Sequence, residues 1–426
     1  MTVLRKIDGS GCGCDASGHA ASLIEVGEAL KRIVEHVRPV LQEETVPLAY
    51  AGGRVLSKSV VSRAAVPPFD TAAMDGFAVD TAALAGDGPW RLEVCARVAA
   101  GQTPDAPASG TTAVRIFTGA RVPRGADAVV AQEEAGNEGR HVILRRRPTP
   151  GLNIRRTGED MVADASILRA GTRLGSREIA ATAAAGCGSV QVFRPVRVAL
   201  LVTGTEIRQA GRACGDAEIW DVNTPMLRAA LTGASVDLVD VRQASDDRTG
   251  LRTRLRTMMS KVDLIVTTGG ISVGEEDNMK PAFRALDGQI IFSGVALKPG
   301  KPVTFGRLKE TSWLGLPGNP AAAFITWQLF GTVLLRLLSG MSCGAALRRP
   351  VLLGHDIRRK PGRCELRPAS IAAYDDLGRP VAQFLDATHP DRVAKLPLAD
   401  GMLVIPADAE HLVKGTLVEF VPFCES

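Results

Sequence analysis

The sequence carries no strong excess of charge. Lys and Arg number 51 against 46 Asp and Glu, a formal net charge of +5 spread along 426 residues. That excludes an electrostatic argument for nucleic acid and leaves a slightly basic surface. Cysteine is thin and scattered, eight in all. Cys95, Cys187, Cys214, Cys343, Cys364 and Cys424 stand alone, so no disulfide framework is expected in a chain this long. Only Cys12 and Cys14 lie close, in GSGCGCD, and a lone C-x-C lacks the second pair that a zinc site needs. Long apolar runs are missing too. The strongest, 321–338, contains Gln328, Gly331 and Arg336 and falls short of a membrane span. The N-terminus shows no apolar core followed by a small-residue cleavage site, so no signal peptide is expected, and a reducing cytoplasm is the expected location. Aromatic residues make up only 4%, whereas 44 Gly and 25 Pro imply many tight turns and loops.

At ~100–200 residues per domain the length predicts two to four domains. Residues 1–20 are Gly/Ser-rich and read as a disordered tail. Ser22 and Glu25 make an S-x-x-E capping box, opening a helix with Leu23, Val26, Leu30, Ile33 and Val37 on one face and Pro39 at its end. A discontinuous N-terminal domain is expected over 21–66 and 151–195, interrupted by an inserted β-rich domain over 67–150. There WRLEVCARV, AVRIFTGA, ADAVVAQEE and RHVILRRR supply short β-branched stretches bounded by Gly, Pro or Asp. Over 196–345 the texture changes. VRVALLV, SVDLVDV and VDLIVTT are continuous apolar runs, as expected for strands buried on both faces of a parallel sheet. Helical segments at 225–231, 248–260, 280–286 and 321–338 alternate with them, which predicts an open α/β domain. Short strands resume in 346–426 and predict a small terminal β domain.

In open α/β sheets ligands bind at the carboxyl ends of the strands. Three loops leave such ends here: TGTE at 203–206, TTGGISVGEED at 267–277 and LPGNP at 316–320. Parallel strands bring them to one edge, where they line one crevice. Gly269, Gly270 and Gly274, with Ser272 among them, let backbone N–H groups approach an anion, yet Glu275, Glu276 and Asp277 follow at once. In LPGNP, Asn319 is an N-cap candidate and Pro320 a natural first helical residue, so the exposed N–H groups suit a phosphate. LKPGKP adds Lys298 and Lys301 on a proline-stiffened turn. Taken singly, Glu206, Asp246 and Asp277 read as loop or capping residues. Together they place three acids from three segments near one crevice, a set that suits Mg²⁺ beside a phosphate. Upstream, PPFDTAAMDGFAV holds Asp75 on a rigid loop before a strand, a turn aspartate on physics alone.

PPFDTAAMDGFAV, IFTGARVP, NIRRTGED, VTGTEI, TTGGISVGEED, LKPGKP and GLPGNP occur in this order. Together they resemble the MoeA family of molybdopterin molybdenumtransferases, to which the C-terminal region of gephyrin also belongs. The resemblance runs from about Ser22 to the C-terminus. It implies a multidomain α/β plus β fold: a central open α/β three-layer domain of the molybdopterin-binding type, an inserted β-rich domain, an N-terminal helical and linker domain, and a small C-terminal β-barrel. The implied reaction takes adenylated molybdopterin and molybdate, with Mg²⁺, to molybdenum cofactor and AMP.

The resemblance also implies an elongated homodimer whose active site is shared between subunits. Carried over by motif, Asp75 (MDG), Thr118 (FTGA) and Asp160 (GED) match positions contributed by the second subunit. Glu206 (TGTE), Asp246 (first Asp of SDD) and Asp277 (GEED) match acidic positions around the metal and the scissile phosphate. Lys298, Pro317, Pro320 and Arg367 (PGRCELR) match positions lining the cleft, and Gly318 and Asn319 belong to the same turn. Implied partners are a molybdopterin adenylyltransferase and molybdoenzyme apo-proteins, with neither nucleic acid nor membrane.

This sequence departs from the family pattern at three places. Thr205 stands where Asp is usual, Gly294 where many members carry a second lysine, and 387–391 where a Gly-Ser-rich stretch is typical. Two other readings stay open: a non-catalytic molybdopterin-binding scaffold, and a molybdopterin adenylyltransferase, against which the inserted domain and the MDG motif argue.

Overall fold

The computed structural model describes residues 23–244, 247–271, 278–342, 348–384 and 393–423. They fall into two compact units. One joins the segment up to Val40 with Pro195–Ser339 and the C-terminal stretch, and the other is Leu41–Arg194 with 340–342.

The first unit centres on a six-stranded sheet in the order Val236–Ala244, Val196–Thr203, Leu264–Thr268, Thr311–Leu316, Thr304–Leu308, Gln289–Ser293. The first four strands are parallel, and the remaining pairings are antiparallel. Side chains alternate across a strand. Val198, Leu200 and Val202 therefore enter one core, with Ile33, Leu227, Val266 and Leu334, while Ala199 and Leu201 enter the other, with Leu251, Leu255, Phe283 and Trp313. The helices Arg248–Met259 and Met279–Arg284 cover the second face. Val26–His36, Asn223–Ala230 and Pro320–Leu338 cover the first. This is the three-layer arrangement expected.

Several expectations change. SVDLVDV is the edge strand, with Asp237, Val239 and Arg242 exposed, so it is not buried on both faces. The opening helix, expected within the N-terminal domain, packs in this first unit through Ala29, Ile33 and Val37. Glu25 occupies its N-cap and makes no side-chain capping bond, and Ser22, the other half of the expected capping box, lies outside the described residues. The helical stretch Pro320–Leu338 is long and apolar enough, by length and composition, to cross a membrane, contrary to the sequence reading. In this fold 61% of its apolar window is buried, and a π-helical turn at Trp327–Gly331 interrupts it.

After residue 348 the strands Cys364–Tyr374, Pro380–Phe384, Arg349–Leu353, Leu417–Pro422 and Gly401–Ile405 pair in that order. The last returns to the first, closing a five-stranded barrel around Val351, Leu353, Leu403, Ile405 and Phe420. The short strand Leu297–Lys298 pairs in parallel with the barrel strand Cys364–Tyr374, Lys298 opposite Glu365.

The second unit holds the inserted sheet, ordered Ala128–Ala131, Gly76–Val79, Thr112–Ile116, Trp90–Val98, His141–Leu144, Ala135–Glu138. Phe77, Val79, Leu92 and Val142 fill one of its faces and Ala78, Val98, Val114 and Ile116 the other. Two-stranded ladders such as Glu43–Pro47 with Ser189–Phe193 frame a further core of Leu56, Leu174, Val190 and Val192.

Candidate active site

The parallel strands ending at Thr203, Thr268 and Leu316 are adjacent, so their loops leave one edge. Contacts knit that edge together. Thr203 Oγ1 donates to the Thr268 carbonyl at 3.2 Å, and the Gly269 amide donates to the Leu316 carbonyl at 3.3 Å. A Cβ on Gly269 (φ +83°) would lie 2.6 Å from Thr203 Oγ1, so the close approach of the first two loops requires glycine. Gly318 of the third loop packs against Gly269, since a Cβ there would stand 3.6 Å from the Gly269 Cα. The three loops therefore meet at one edge of the sheet, through residues 203–206, 268–270 and 316–320.

Glu206 is exposed, and its carboxylate leans over Gly204. A Cβ on Gly204 would be 2.8 Å from both carboxylate oxygens. Among the described residues that carboxylate makes no hydrogen bond or ion pair. Asp246, Ser272, Gly274 and Asp277 lie outside the described residues, as do Glu275 and Glu276. The neighbouring Asp247 caps the helix Arg248–Met259, accepting from the Thr249 and Gly250 amides at 3.4 and 2.6 Å. Asn278 is the N-cap of Met279–Arg284. Among the described residues no three His, Cys, Asp or Glu side chains gather to hold a metal ion.

In the third loop Pro317 is buried, and Gly318 and Asn319 are exposed. Asn319 is the N-cap and Pro320 the first helical residue, as expected, but the Asn319 side chain makes no capping bond. Lys298 and Lys301 are exposed on their turn, which the Val295 amide closes by donating to the Lys301 carbonyl at 2.9 Å.

Lys298 reaches a buried charge cluster that the sequence reading missed. Glu365, 1% exposed, has Oε1 2.9 Å from Arg367 Nη2 and 3.9 Å from Lys298 Nζ, and Oε2 3.3 Å from Arg359 Nε. The Arg359 contact is an ion pair without hydrogen-bond geometry. Arg367, expected to line the cleft, is 4% exposed and stacks over Phe384 at 5.4 Å. A usable signal was present: Glu365 and Arg367 are two residues apart on a strand and so share a face. Asn223 was missed as well. Its Nδ2 donates to the Gly318 carbonyl at 2.7 Å, a contact across 95 residues that no local pattern announces.

In the second unit Asp75 and Thr118 come together. Thr118 donates to Asp75 Oδ1 from its amide at 2.8 Å and from its hydroxyl at 2.7 Å. The Thr118 amide, its hydroxyl and the nearby Arg115 guanidinium hold the Asp75 carboxyl below the usual range. Asp160 is exposed on a separate turn, its amide donating to the Val66 carbonyl at 3.0 Å.

Comparison with known families then decides the lineage. The MoeA N-terminal region (domain I and II) matches 24–186, a probable molybdopterin binding domain matches 199–336, and the MoeA C-terminal region (domain IV) matches 350–423. The chain belongs to the MoeA family. Molybdopterin molybdenumtransferase 2 of Mycobacterium tuberculosis is 32% identical over 397 residues, spanning 91% of this chain and 97% of that protein. The molybdopterin molybdenumtransferase of Haemophilus influenzae is 32% identical over 319 residues, 75% of this chain and 78% of its own. A solved molybdopterin biosynthesis MoeA protein from Pyrococcus horikoshii is 26% identical with a TM-score of 0.80, covering 94% of this chain and 100% of its own. Within this MoeA chain, Gly294 has φ +95°, and a Cβ there would meet Leu23 Cδ2 at 2.9 Å. The backbone itself therefore demands glycine where the resemblance leads to an expectation of lysine.

Proposed function

We propose that this chain is a molybdenum insertase of molybdenum cofactor biosynthesis, taking adenylated molybdopterin and molybdate and releasing AMP. The observation that carries the reading is the match of MoeA regions along nearly the whole chain, together with relatives named molybdopterin molybdenumtransferase.

Charge organises the mechanism. Both substrates are anions, and the chain supplies the exposed lysines Lys298 and Lys301 on one turn and, at the exposed Gly318–Asn319 turn, backbone N–H groups that no described residue takes up. Lys298, tethered by its strand pairing opposite Glu365, stands ready to offset charge on the AMP phosphate as it leaves. The carboxylate of Glu206, without a partner among the described residues, fits a hard cation, and Mg²⁺ would be held there with Asp246 and Asp277 as further ligands by motif. Mg²⁺ would supply neutralisation of charge at the scissile phosphate. In the second unit Asp75 uses Oδ1 for both Thr118 bonds, which leaves Oδ2 to accept a substrate donor. In this reading Asp75, Thr118 and Asp160 are supplied by the second subunit of a homodimer, and the enzyme works in the cytoplasm beside a molybdopterin adenylyltransferase and apo-molybdoenzymes.

The test is purified protein with adenylated molybdopterin, Mg²⁺ and molybdate, following AMP. Release that requires molybdate is expected. Release indifferent to molybdate overturns the insertase reading, ATP consumption with free molybdopterin points to adenylation, and tight binding without turnover points to a scaffold.

A further inference from the structure

Asn223 opens the helix Asn223–Ala230 and is 5% exposed. Its Nδ2 donates to the Gly318 carbonyl at 2.7 Å and lies 3.5 Å from the Thr268 hydroxyl, while its Oδ1 is buried with no hydrogen-bond partner. Chemistry fixes which way the carboxamide faces, because a carbonyl oxygen only accepts and so must meet the amide nitrogen. An interior amide oxygen left unpaired is destabilising. A small apolar residue would fill the position without that penalty, so stability alone does not account for asparagine here.

What Asn223 does is tie the LPGNP turn to the end of the strand Leu264–Thr268. The peptide joining Gly318 to Asn319 is trans and planar, with its C=O and N–H directed oppositely. Holding the Gly318 carbonyl toward Asn223 therefore turns the Asn319 N–H the other way. Gly318 and Asn319 are exposed, and among the described residues no hydrogen bond takes up that N–H.

We infer that Asn223 is a positioning residue: it fixes the Gly318–Asn319 peptide so that the Asn319 N–H faces the phosphate of the adenylated substrate. This rests on the reaction proposed above and adds to it the group that orients the phosphate-binding turn.

The test compares wild type with Asn223→Leu, which keeps the bulk but loses the donor without adding charge, and Asn223→Ala, which loses the whole carboxamide. AMP binding is read by titration calorimetry, KM and kcat with adenylated molybdopterin, and folding by thermal melting. A backbone N–H to phosphate is a charge-assisted bond, so misaligning it is expected to weaken AMP binding and raise KM about tenfold or more, with kcat changed less than about threefold. A folded variant with AMP affinity and KM within about threefold of wild type overturns the inference. So does failure of both variants to fold, which would make Asn223 a structural residue, and so does a wild type that does not bind AMP. Calorimetry needs no turnover, so wild type that binds AMP but releases none with molybdate sinks the insertase reading alone.

Discussion

Removing the carboxylate of Glu365 gives the sharpest test of the energetics. Its two guanidinium partners, Arg359 and Arg367, are 6% and 4% exposed, so Glu365→Ala leaves two cations facing each other out of water. Breaking a buried ion pair from one side costs about 3–5 kcal/mol. Lys298 adds little to that sum, because solvent screens its half-exposed ammonium. The barrel shares one compact unit with the α/β sheet, and a loss of 1 kcal/mol lowers the melting temperature of a domain of about 150–250 residues by about 2–4 °C. The transition of that unit should therefore fall by about 6–20 °C. The assay is scanning calorimetry, because Trp90, Trp220, Trp313 and Trp327 all precede the barrel and their fluorescence reports other segments. Replacing all three groups, as Glu365→Met with Arg359→Leu and Arg367→Met, removes the unpaired charge and should recover most of the loss. A transition of that unit within about 3 °C of wild type for Glu365→Ala, or a triple variant no better than the single, would refute the argument.

Asp75→Asn should abolish most AMP release while leaving the fold intact, and unchanged turnover would remove Asp75 from the site. Its pH behaviour has a fixed sign. The folded carboxyl is held below its usual range, so the stability of the Asp75–Thr118 tie is fully present above that range. Thermal melts of wild type and Asp75→Asn should thus differ near neutrality and converge only as pH falls through the depressed value; a gap that persists in strong acid contradicts the assignment. Glu206→Gln is expected to leave the melting temperature unchanged, since its carboxylate has no protein partner among the described residues, but to raise the Mg²⁺ concentration needed for half-maximal AMP release by tenfold or more. An unaltered Mg²⁺ titration argues against Glu206 as a ligand. Gly294→Lys should destabilise by about 1–3 kcal/mol because φ is +95°. Denaturant unfolding at wild-type stability would show that the backbone relaxes at little cost.

Much of the architecture was legible because the sheet writes itself in apolar runs. Val196–Thr203 and Leu264–Thr268 are interior strands, and their hydrophobic continuity reports burial on both faces. SVDLVDV shows the limit of that rule: Asp237 and Asp240, three residues apart, interrupt its apolar run, and it lies at the edge of the sheet. Local signals also located the LPGNP turn, since proline at a first helical position and preceding glycine have few other uses. The Asp75–Thr118 pair was legible only through family motifs, because a turn aspartate and a threonine 43 residues apart carry no joint pattern. Asn223 and Glu365 escaped for a related reason: each acts through contacts between segments far apart in sequence, and composition holds no record of such contacts.

The pairing of Leu297–Lys298 with the barrel strand Cys364–Tyr374 bears on how truncations should be interpreted. A chain cut after Ser339 loses more than an appendage, because the turn carrying Lys298 and Lys301 would lose its strand neighbour and Lys298 its carboxylate partner. Loss of activity in such a fragment would report a disordered lysine turn as readily as a missing barrel function.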